Sequence, residues 1–418
     1  LNRPELAPVR GALAAGNRDT AKQAVAAHLR SRRHPRWFDM WWERPEPNPG
    51  HNTTKADELL AGRFRMGQVL YEPKGRIDWT FNPEVYRTGP KKTQEYNAGL
   101  NRFYHIKHLH DAYWHTGRAE YAAEIVREMV NWVEDCPVLL CQFGKSPYSP
   151  PWQSLNTAAR IIHYWLDCIF RTLDHPAWTD DALVKLLKSL HEHGEHLLRC
   201  HSTGTNWLTS EARSMVCLGM LFPEFRRAAT WRDKGIELLY HQLEHEVYPD
   251  GAQFELAIGY HGSAMRNFSA VPLLAALNED LDALPDEYVG RLEKMVGYLL
   301  AEMMPNGQVP GRNDSYERKM GEHFEQALKL FPGRADIRWA ATEGAQGNPP
   351  SPRSVACRYA GHYIMRTGWD AAEDLYLLFD AGPFGAGHQH EDKLGFTMYG
   401  YRRILVNEGG VHQYNDSP

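Results

Sequence analysis

Between residues 99 and 331 the chain repeats one pattern: blocks of helical apolar spacing, separated by loops rich in Pro, Asp and Gly. In the block 99–117, Leu100, Phe103, Tyr104, Ile106, Leu109 and Tyr113 keep helical spacing, and Gly117 supplies a stop. A second helix follows directly, from Ala119 to about Glu134, and ends at Cys136-Pro137. The same spacing predicts helices near 154–173, 181–200, 206–220, 223–246, 255–277, 285–304 and 316–331. Consecutive helices with short connections pack as antiparallel hairpins. A long series of hairpins predicts an (α/α) toroid rather than a simple bundle. No strict period supports a TPR-type or ankyrin-type solenoid.

The character changes at Gly344-Ala345-Gln346-Gly347-Asn348-Pro349-Pro350-Ser351-Pro352, which has the composition of a linker. Short β-type runs follow at 362–366, 374–379, 394–399 and 403–406, broken by Thr367-Gly368, Gly382-Pro383 and Gly400. The expected division is a helical domain over 1–345, a linker over 346–353 and the start of an antiparallel β domain over 354–418. So few strands before the stop at Asn415-Asp416-Ser417-Pro418 fall short of a self-sufficient β domain. The second domain is therefore expected to be cut, or completed from elsewhere.

A chain of 418 residues is too long for one simple core, which agrees with two domains. Its 43% apolar and 24% charged residues are ordinary for a globular protein. A net charge of -5 gives no global basic field for nucleic acid. The local clusters Lys91-Lys92, Arg30 with Arg32-Arg33, and Arg402-Arg403 read as solvated faces, although arginines inside a cleft can bind acidic sugars. Thirteen Trp fit carbohydrate stacking and a helical core equally well. Cys136, Cys141, Cys168, Cys200, Cys217 and Cys357 show no metal-finger spacing and read as buried free thiols. No apolar run is long enough for a transmembrane helix. Leu1-Asn2-Arg3-Pro4 lacks Met and a signal peptide, as in a processed or trimmed start.

Chemistry concentrates in three places. Gly385-Ala386-Gly387-His388-Gln389-His390-Glu391-Asp392-Lys393-Leu394-Gly395-Phe396 reads as a strand entered through a Gly-rich loop. Side chains two apart on a strand point the same way, so His388 and His390 are expected to face one site. Such a pair serves as two metal ligands, as one ligand plus one acid/base, or as plain surface. Thr203-Gly204-Thr205-Asn206-Trp207-Leu208-Thr209-Ser210-Glu211 opens a helix, with Asn206 among the first backbone N–H groups, where anions are stabilised. A simple N-cap is the competing reading. Asp250-Gly251 is a turn, and Glu255, Gly259 and His261 then flank Tyr260 in an apolar segment.

Together, Asn206-Trp207 with Glu211, Asp250-Gly251 with Glu255 and Tyr260-His261, and the His388/His390 run resemble the heparinase II/III-type polysaccharide lyases. Ile77-Asp78-Trp79-Thr80-Phe81-Asn82-Pro83, Leu100-Asn101-Arg102, Trp132, Pro137 and Ser149-Pro150-Pro151-Trp152 leading to Arg160 extend the resemblance over roughly 77–410. The N-terminal 70 residues carry little of it.

The resemblance implies a mainly α fold with a β part: an incomplete (α/α) toroid followed by an antiparallel β sandwich, truncated in this chain. It implies β-elimination on a uronate-containing polysaccharide, a glycosaminoglycan before alginate, in the bacterial periplasm or outside the cell. Asn206 would hydrogen-bond the uronate carboxylate and ease the developing enolate. Tyr260 would take the C5 proton, protonate the departing C4 oxygen, or do both. His388 would be the second acid/base from the opposite face. Glu211, Glu255 and His261 are expected to orient these groups, and Asn101, Arg102 and Trp207 to line sugar subsites.

The chemistry needs no cofactor. His390 matches a position that holds a structural divalent ion, zinc or calcium, in several relatives. The acidic partner expected on the next strand is Asn407 here, within Val406-Asn407-Glu408-Gly409, and a further histidine would fall beyond Pro418. Asn is a poor zinc ligand and an acceptable calcium ligand. Other readings are a uronyl C5-epimerase, a non-catalytic glycan-binding protein, and a glycosidase using Glu211 and Glu255.

Overall fold

The computed structural model describes residues 3–66, 69–83, 95–138, 150–391 and 393–411. Lys91-Lys92, Cys141, Ser149, Asp392 and Asn415-Asp416-Ser417-Pro418 lie outside the described residues. The chain forms two compact units, one made of residues up to Thr203 with Ser210–Ile236, the other of Gly204–Thr209 with Glu237 onwards.

The first unit is built of helices: α1 (Ala7–Ala14), α2 (Arg18–Ser31), α3 (Thr54–Leu60), α4 (Glu95–Asn101), α5 (Ile106–Thr116), α6 (Ala119–Asp135), α7 (Ser154–Arg160), α8 (Leu166–Thr172) and α9 (Asp180–Cys200). A short hairpin, β1 (Phe64–Met66) with β2 (Val69–Tyr71), interrupts them. Tyr121, Ala122, Ile125, Val126, Met129 and Trp132 bury one stripe of α6. Gly117, at φ 70°, ends α5 in the left-handed region where glycine carries no Cβ penalty. The Thr179 hydroxyl accepts from the Ala182 N–H and starts α9, with Asp180 and Asp181 in the positive first turn.

The single helix expected over 99–117 is broken. Phe103 sits at φ 63°, and its buried ring stacks on Trp79 at 5.0 Å. That ring anchor outweighs the local helical propensity. The block at 154–173 also carries an irregularity, a π-helical turn over Ile161–Trp165 between α7 and α8. Just before it, Arg160 is fully buried, with its guanidinium 3.8 Å from the Trp132 ring centre. It donates to His193 Nε2 at 2.9 Å and to the Asn101 carbonyl at 2.8 Å. Burial and Arg160 hold the His193 imidazole neutral, well below its ordinary range.

Trp132, Trp152, Trp165, Trp178 and Trp231 are all fully buried, and Trp37, Trp79 and Trp114 are buried as well, so eight of the thirteen tryptophans are core. Nor is Arg32 part of a solvated face. It donates to Glu224 at 2.8 Å and lies over the Phe222 ring at 5.3 Å. Cys136, Cys168, Cys217 and Cys357 are buried free thiols, but Cys200 is disulfide-bonded, which corrects the thiol reading there. Among the described residues no helix is long and apolar enough to cross a membrane.

Two helices are shared between the units: α10 (Thr205–Leu221) and α11 (Ala228–His245). The second unit adds α12 (Ile258–Leu277), α13 (Tyr288–Glu302), α14 (Gly321–Leu330) and α15 (Ala335–Ala341), with a two-residue ladder of β3 (Gln308–Val309) on β4 (Arg318–Lys319). Pro272 lies inside α12 and cannot donate to the Phe268 carbonyl. The Tyr288 hydroxyl donates to that carbonyl instead, at 3.1 Å, so the helix continues.

A five-stranded antiparallel sheet follows in simple meander order: β5 (Val355–Cys357), β6 (His362–Arg366), β7 (Tyr376–Asp380), β8 (Phe396–Gly400) and β9 (Arg403–Val406). On β6, His362, Ile364 and Arg366 are buried while Tyr363 and Met365 are exposed, the alternation of a strand with one covered face. Arg366 donates to the carbonyls of Ala301 and Met303 at the C-terminus of α13, where a cation is favoured.

The Asp250-Gly251 turn needs its glycine. Gly251 has φ 95°, and a Cβ there would lie 2.1 Å from the Lys294 carbonyl oxygen. Gly251→Ala is expected to destabilise the protein by more than about 1 kcal/mol. A thermal melt checks this, the expected result being a lowered Tm.

Candidate functional site

The candidate residues Asn206, Tyr260 and His388 all belong to the second unit. Tyr260 lies in the first turn of α12. The preceding Gly259 donates its N–H to Ser315 Oγ at 2.9 Å. A Cβ on Gly259 would meet the Arg318 guanidinium at 2.9 Å and Ser315 Oγ at 3.2 Å, so glycine allows the 311–318 segment to close on the helix start.

His388 and His390 are not on a strand. The chain leaves β7 at Asp380 and enters β8 at Phe396, and the residues described between them form a loop. The strand geometry is replaced by pairing to another loop. Asp314 donates its N–H to the His388 carbonyl at 3.0 Å. The Asn313 side chain accepts from the His390 N–H at 2.9 Å and donates to the Leu256 carbonyl at 2.9 Å. Asn313 holds φ 53°, a conformation Asn tolerates better than most residues.

This pairing gives the two histidines one shared partner and separate surroundings. Asp314 Oδ2 accepts from His388 Nδ1 at 2.9 Å, and its Oδ1 meets His390 Nε2 at 3.1 Å. The His388 ring lies parallel to the Tyr260 ring, 7° apart in plane and 3.5 Å between centres. His390 turns its Nδ1 to Glu408 Oε1 at 2.6 Å. Partial burial opposes charge on His390, but the Asp314 hydrogen bond and the Glu408 charge outweigh it and raise its pKa above the ordinary value.

Asn206 is tied to the same place through Glu255. The Asn206 backbone N–H donates to the Glu255 carboxylate. A Cβ on Gly387 would lie 3.8 Å from Glu255 Oε1, which puts the loop carrying His388 against the same carboxylate. Burial raises Glu255 to about 7, although the Asn206 N–H opposes that rise. Thr205, at φ 67°, donates its N–H to both oxygens of Glu246 at 3.1 Å. The start of α10 is therefore held by two carboxylates of the chain itself, the placement a helix N-terminus favours. Trp207 is 43% exposed beside Asn206.

The remaining expected residues divide. His261 is buried and neutral, pulled down to about 4 by burial. Its Nε2 faces the Met295 carbonyl at 3.1 Å and its Nδ1 accepts from the Gln253 N–H at 3.3 Å, so it fixes the segment that carries Glu255. Glu211, in the first unit, is fully buried and accepts from the Ser202 N–H at 2.6 Å and the Ser202 hydroxyl at 3.0 Å. Burial raises it to about 7. With no exposed surface it cannot be half of a glycosidase pair.

Asn101, also in the first unit, is fully buried, donating to the Trp79 carbonyl at 2.9 Å and accepting from Trp132 Nε1 at 3.1 Å. That corrects its expected place in a sugar subsite: it is a core crosslink. Arg102 is half-buried and donates to Asn156 Oδ1 at 2.7 Å and the Tyr104 hydroxyl at 3.0 Å.

The expected metal pair, His390 with Asn407, is engaged by side chains of the chain itself. A histidine ligand must offer a neutral nitrogen lone pair. Both His390 nitrogens face carboxylates, and the Asn407 carbonyl oxygen accepts from the Thr397 hydroxyl at 3.5 Å. Among the described residues no group of three or more His, Cys, Asp or Glu is arranged to hold a metal ion.

Asp314, Asn313 and Glu246 escaped the sequence reading. Gly311-Arg312-Asn313-Asp314-Ser315 looks like any polar turn, and nothing in its spacing points to a histidine 74 residues away. Glu408 was visible only as the neighbour of Asn407.

The family model described as Heparinase II/III N-terminus matches residues 1–339, and that described as Heparinase II/III-like, C-terminal, matches 349–418. The first match includes the N-terminal 70 residues that carried little of the motif resemblance. A heparin-sulfate lyase of Pedobacter heparinus is 29% identical over 423 residues, covering 98% of this chain and 62% of that protein. One from Bacteroides stercoris is 27% identical over 382 residues, covering 86% and 55%. The chain thus spans between about half and two thirds of these relatives' length. Among solved structures, a heparan sulfate lyase mutant from Pedobacter heparinus aligns with a TM-score of 0.77 at 27% identity, over 99% of this chain and 65% of that one. A heparinase III crystal structure gives 0.87 at 23% identity over 98% and 66%, a likeness of fold.

Proposed function

Because this chain belongs to the heparinase II/III family, we propose that it carries the catalytic centre of a polysaccharide lyase acting on a uronate-containing glycosaminoglycan, with heparan sulfate first among candidates. The observation that carries this reading is the Tyr260–His388 ring pair, backed by Asp314 on His388 Nδ1. The relatives' names, heparin-sulfate lyase, support the choice of substrate class.

The C5 proton of a uronate is only weakly acidic, because the neighbouring carboxylate is negative. The Asn206 side chain hydrogen-bonds that carboxylate and lowers the cost of the enolate. Tyr260 and His388 then move the two protons: one leaves C5, the other reaches the departing C4 oxygen, and a C4–C5 double bond remains. Asp314, by taking the Nδ1 hydrogen, makes His388 Nε2 the nitrogen that exchanges a proton. If the C5 hydrogen and C4 oxygen share a face, Tyr260 performs both transfers; if they are opposed, His388 performs one.

Trp207, exposed beside Asn206, is proposed to stack on a sugar ring. Trp207→Ala is expected to raise KM about five- to tenfold, consistent with about 1 kcal/mol of lost stacking. Steady-state kinetics check this. We also keep the division at 346–353 into a helical domain and a β domain, supported by where the two family matches meet. The disulfide at Cys200 supports an oxidising compartment, the periplasm or outside.

The deciding experiment incubates the protein with heparan sulfate, hyaluronan, chondroitin and alginate and follows the ultraviolet absorbance of the unsaturated product. A rise on heparan sulfate is expected. A rise on alginate alone would move the substrate class. No rise, but exchange of the C5 hydrogen with solvent, would make the protein an epimerase; neither signal would leave a glycan-binding protein.

A further inference from the structure

Among the described residues, two guanidinium groups around the start of α12 have no carboxylate paired with them. Arg318 donates to the Gly259 carbonyl at 3.2 Å, one residue before Tyr260. It forms no ion pair with any described carboxylate. Arg266 lies two turns along the same helix, and among the described residues its one hydrogen bond is to His323 Nε2 at 3.4 Å. That nitrogen also faces the Gly262 carbonyl at 3.1 Å. If it carries the hydrogen and donates to Gly262, it cannot accept from Arg266. Lys319, between Arg318 and α14, differs: it is paired with Glu343 at 2.8 Å.

The two cations also act on their surroundings. After burial itself, Arg266 and then Arg318 push His323 down, to about 4, and Arg266 lowers Arg318 in turn. Like charges gathered without an anion cost free energy, which a bound oxyanion would recover. Each cation sits on an element of the candidate site. Arg266 shares α12 with Tyr260, and Arg318 follows Asp314, the partner of His388, by four residues.

We infer that Arg266 and Arg318 form an oxyanion subsite that takes the sulfate or carboxylate group of a sugar flanking the cleaved bond. The assignment rests on the polysaccharide-lyase reading for where the sugar lies, but its test needs no turnover. Guanidinium groups suit both anions, because planar paired N–H donors match two oxygens of either. Selection among chains by their charge pattern would then occur beside the reacting sugar.

The test measures Kd by calorimetry for the full chain carrying Tyr260→Phe, with and without Arg266→Gln or Arg318→Gln. The ligands are a sulfated heparan oligosaccharide, its desulfated form and its carboxyl-reduced form. Each Arg variant is expected to weaken the sulfated oligosaccharide about tenfold, as losing a charged hydrogen bond does. Weakening confined to the sulfated form assigns sulfate; weakening that spares only the carboxyl-reduced form assigns carboxylate. Unchanged affinity in Arg266→Gln, whose one hydrogen bond among the described residues is to His323, would overturn the subsite, as would equal weakening of all three ligands. Lack of unsaturated product from the unmutated protein would sink the lyase reading while leaving these affinities to decide the subsite.

Discussion

Tyr260→Phe is expected to lower the rate of unsaturated-product formation by about 10²–10⁴-fold, the range for loss of a positioned acid or base. Phe keeps the ring and so keeps the 3.5 Å stack on His388; only the hydroxyl is lost. Binding should therefore change little, and the loss should appear in kcat rather than KM. His388→Ala removes the ring as well and is expected to cost as much on a substrate whose C5 hydrogen and C4 oxygen lie on opposite faces. On a substrate with both on one face it should cost less, because Tyr260 alone completes the transfer. Asp314→Asn separates positioning from proton transfer. An amide still reaches His388 Nδ1 but no longer imposes one tautomer, so a smaller kcat loss, about tenfold to a hundredfold, is expected. Stopped or steady-state absorbance on two epimeric substrates measures all three. Full activity in Tyr260→Phe would remove this residue from the reaction.

Much of this centre could be read from the chain because its parts announce themselves locally. The helix opening at Thr205-Asn206, the turn at Asp250-Gly251 and the β runs from 362 onward all carry short-range signals, and the structure has those elements. Failures occur where a distant contact decides. His388 and His390 share an alternating pattern that fits a strand, yet hydrogen bonds to Asn313 and Asp314 hold them in a loop. Phe103 fits the helical stripe of 99–117, but its burial on Trp79 bends the backbone to φ 63°. Asn101 matched a motif, and its chemistry could suit a sugar or the core; only its zero exposure separates the two. In each case the pattern is correct about polarity and silent about the partner.

The largest stability effect is expected at Glu302, because five ionisable groups depend on one another around it. Glu302 is fully buried at the end of α13, 2.8 Å from His362 Nδ1 and 3.5 Å from Arg312. Arg312 reaches Asp380 at 3.5 Å, and Lys393 meets Asp380 at 3.3 Å. Arg312 also directly precedes Asn313-Asp314, so this network anchors the loop that holds His388. Glu302→Ala leaves Arg312 and His362 buried with too few acceptors and is expected to cost about 3–5 kcal/mol. Glu302→Gln keeps the volume and one acceptor and should cost less.

The pH dependence has a definite sign. Burial alone would raise Glu302, but Arg312 and His362 outweigh it and bring it down to about 2. Asp380 is likewise held well below the usual carboxylate range: burial opposes this, but His362 and Arg312 prevail. A folded pKa below the unfolded one means the unfolded chain binds more protons in between. Stability is thus fully present above about pH 4.5 and falls as acid approaches pH 2, by on the order of 3 kcal/mol from Glu302. Denaturant melts at neutral pH and near pH 3 check this: the drop should be large in the unmodified chain and clearly smaller in Glu302→Gln, which has no carboxylate to protonate there. An equal drop in both proteins would place the acid sensitivity elsewhere and leave Arg312 without its assigned role as anchor of the Asp314 loop.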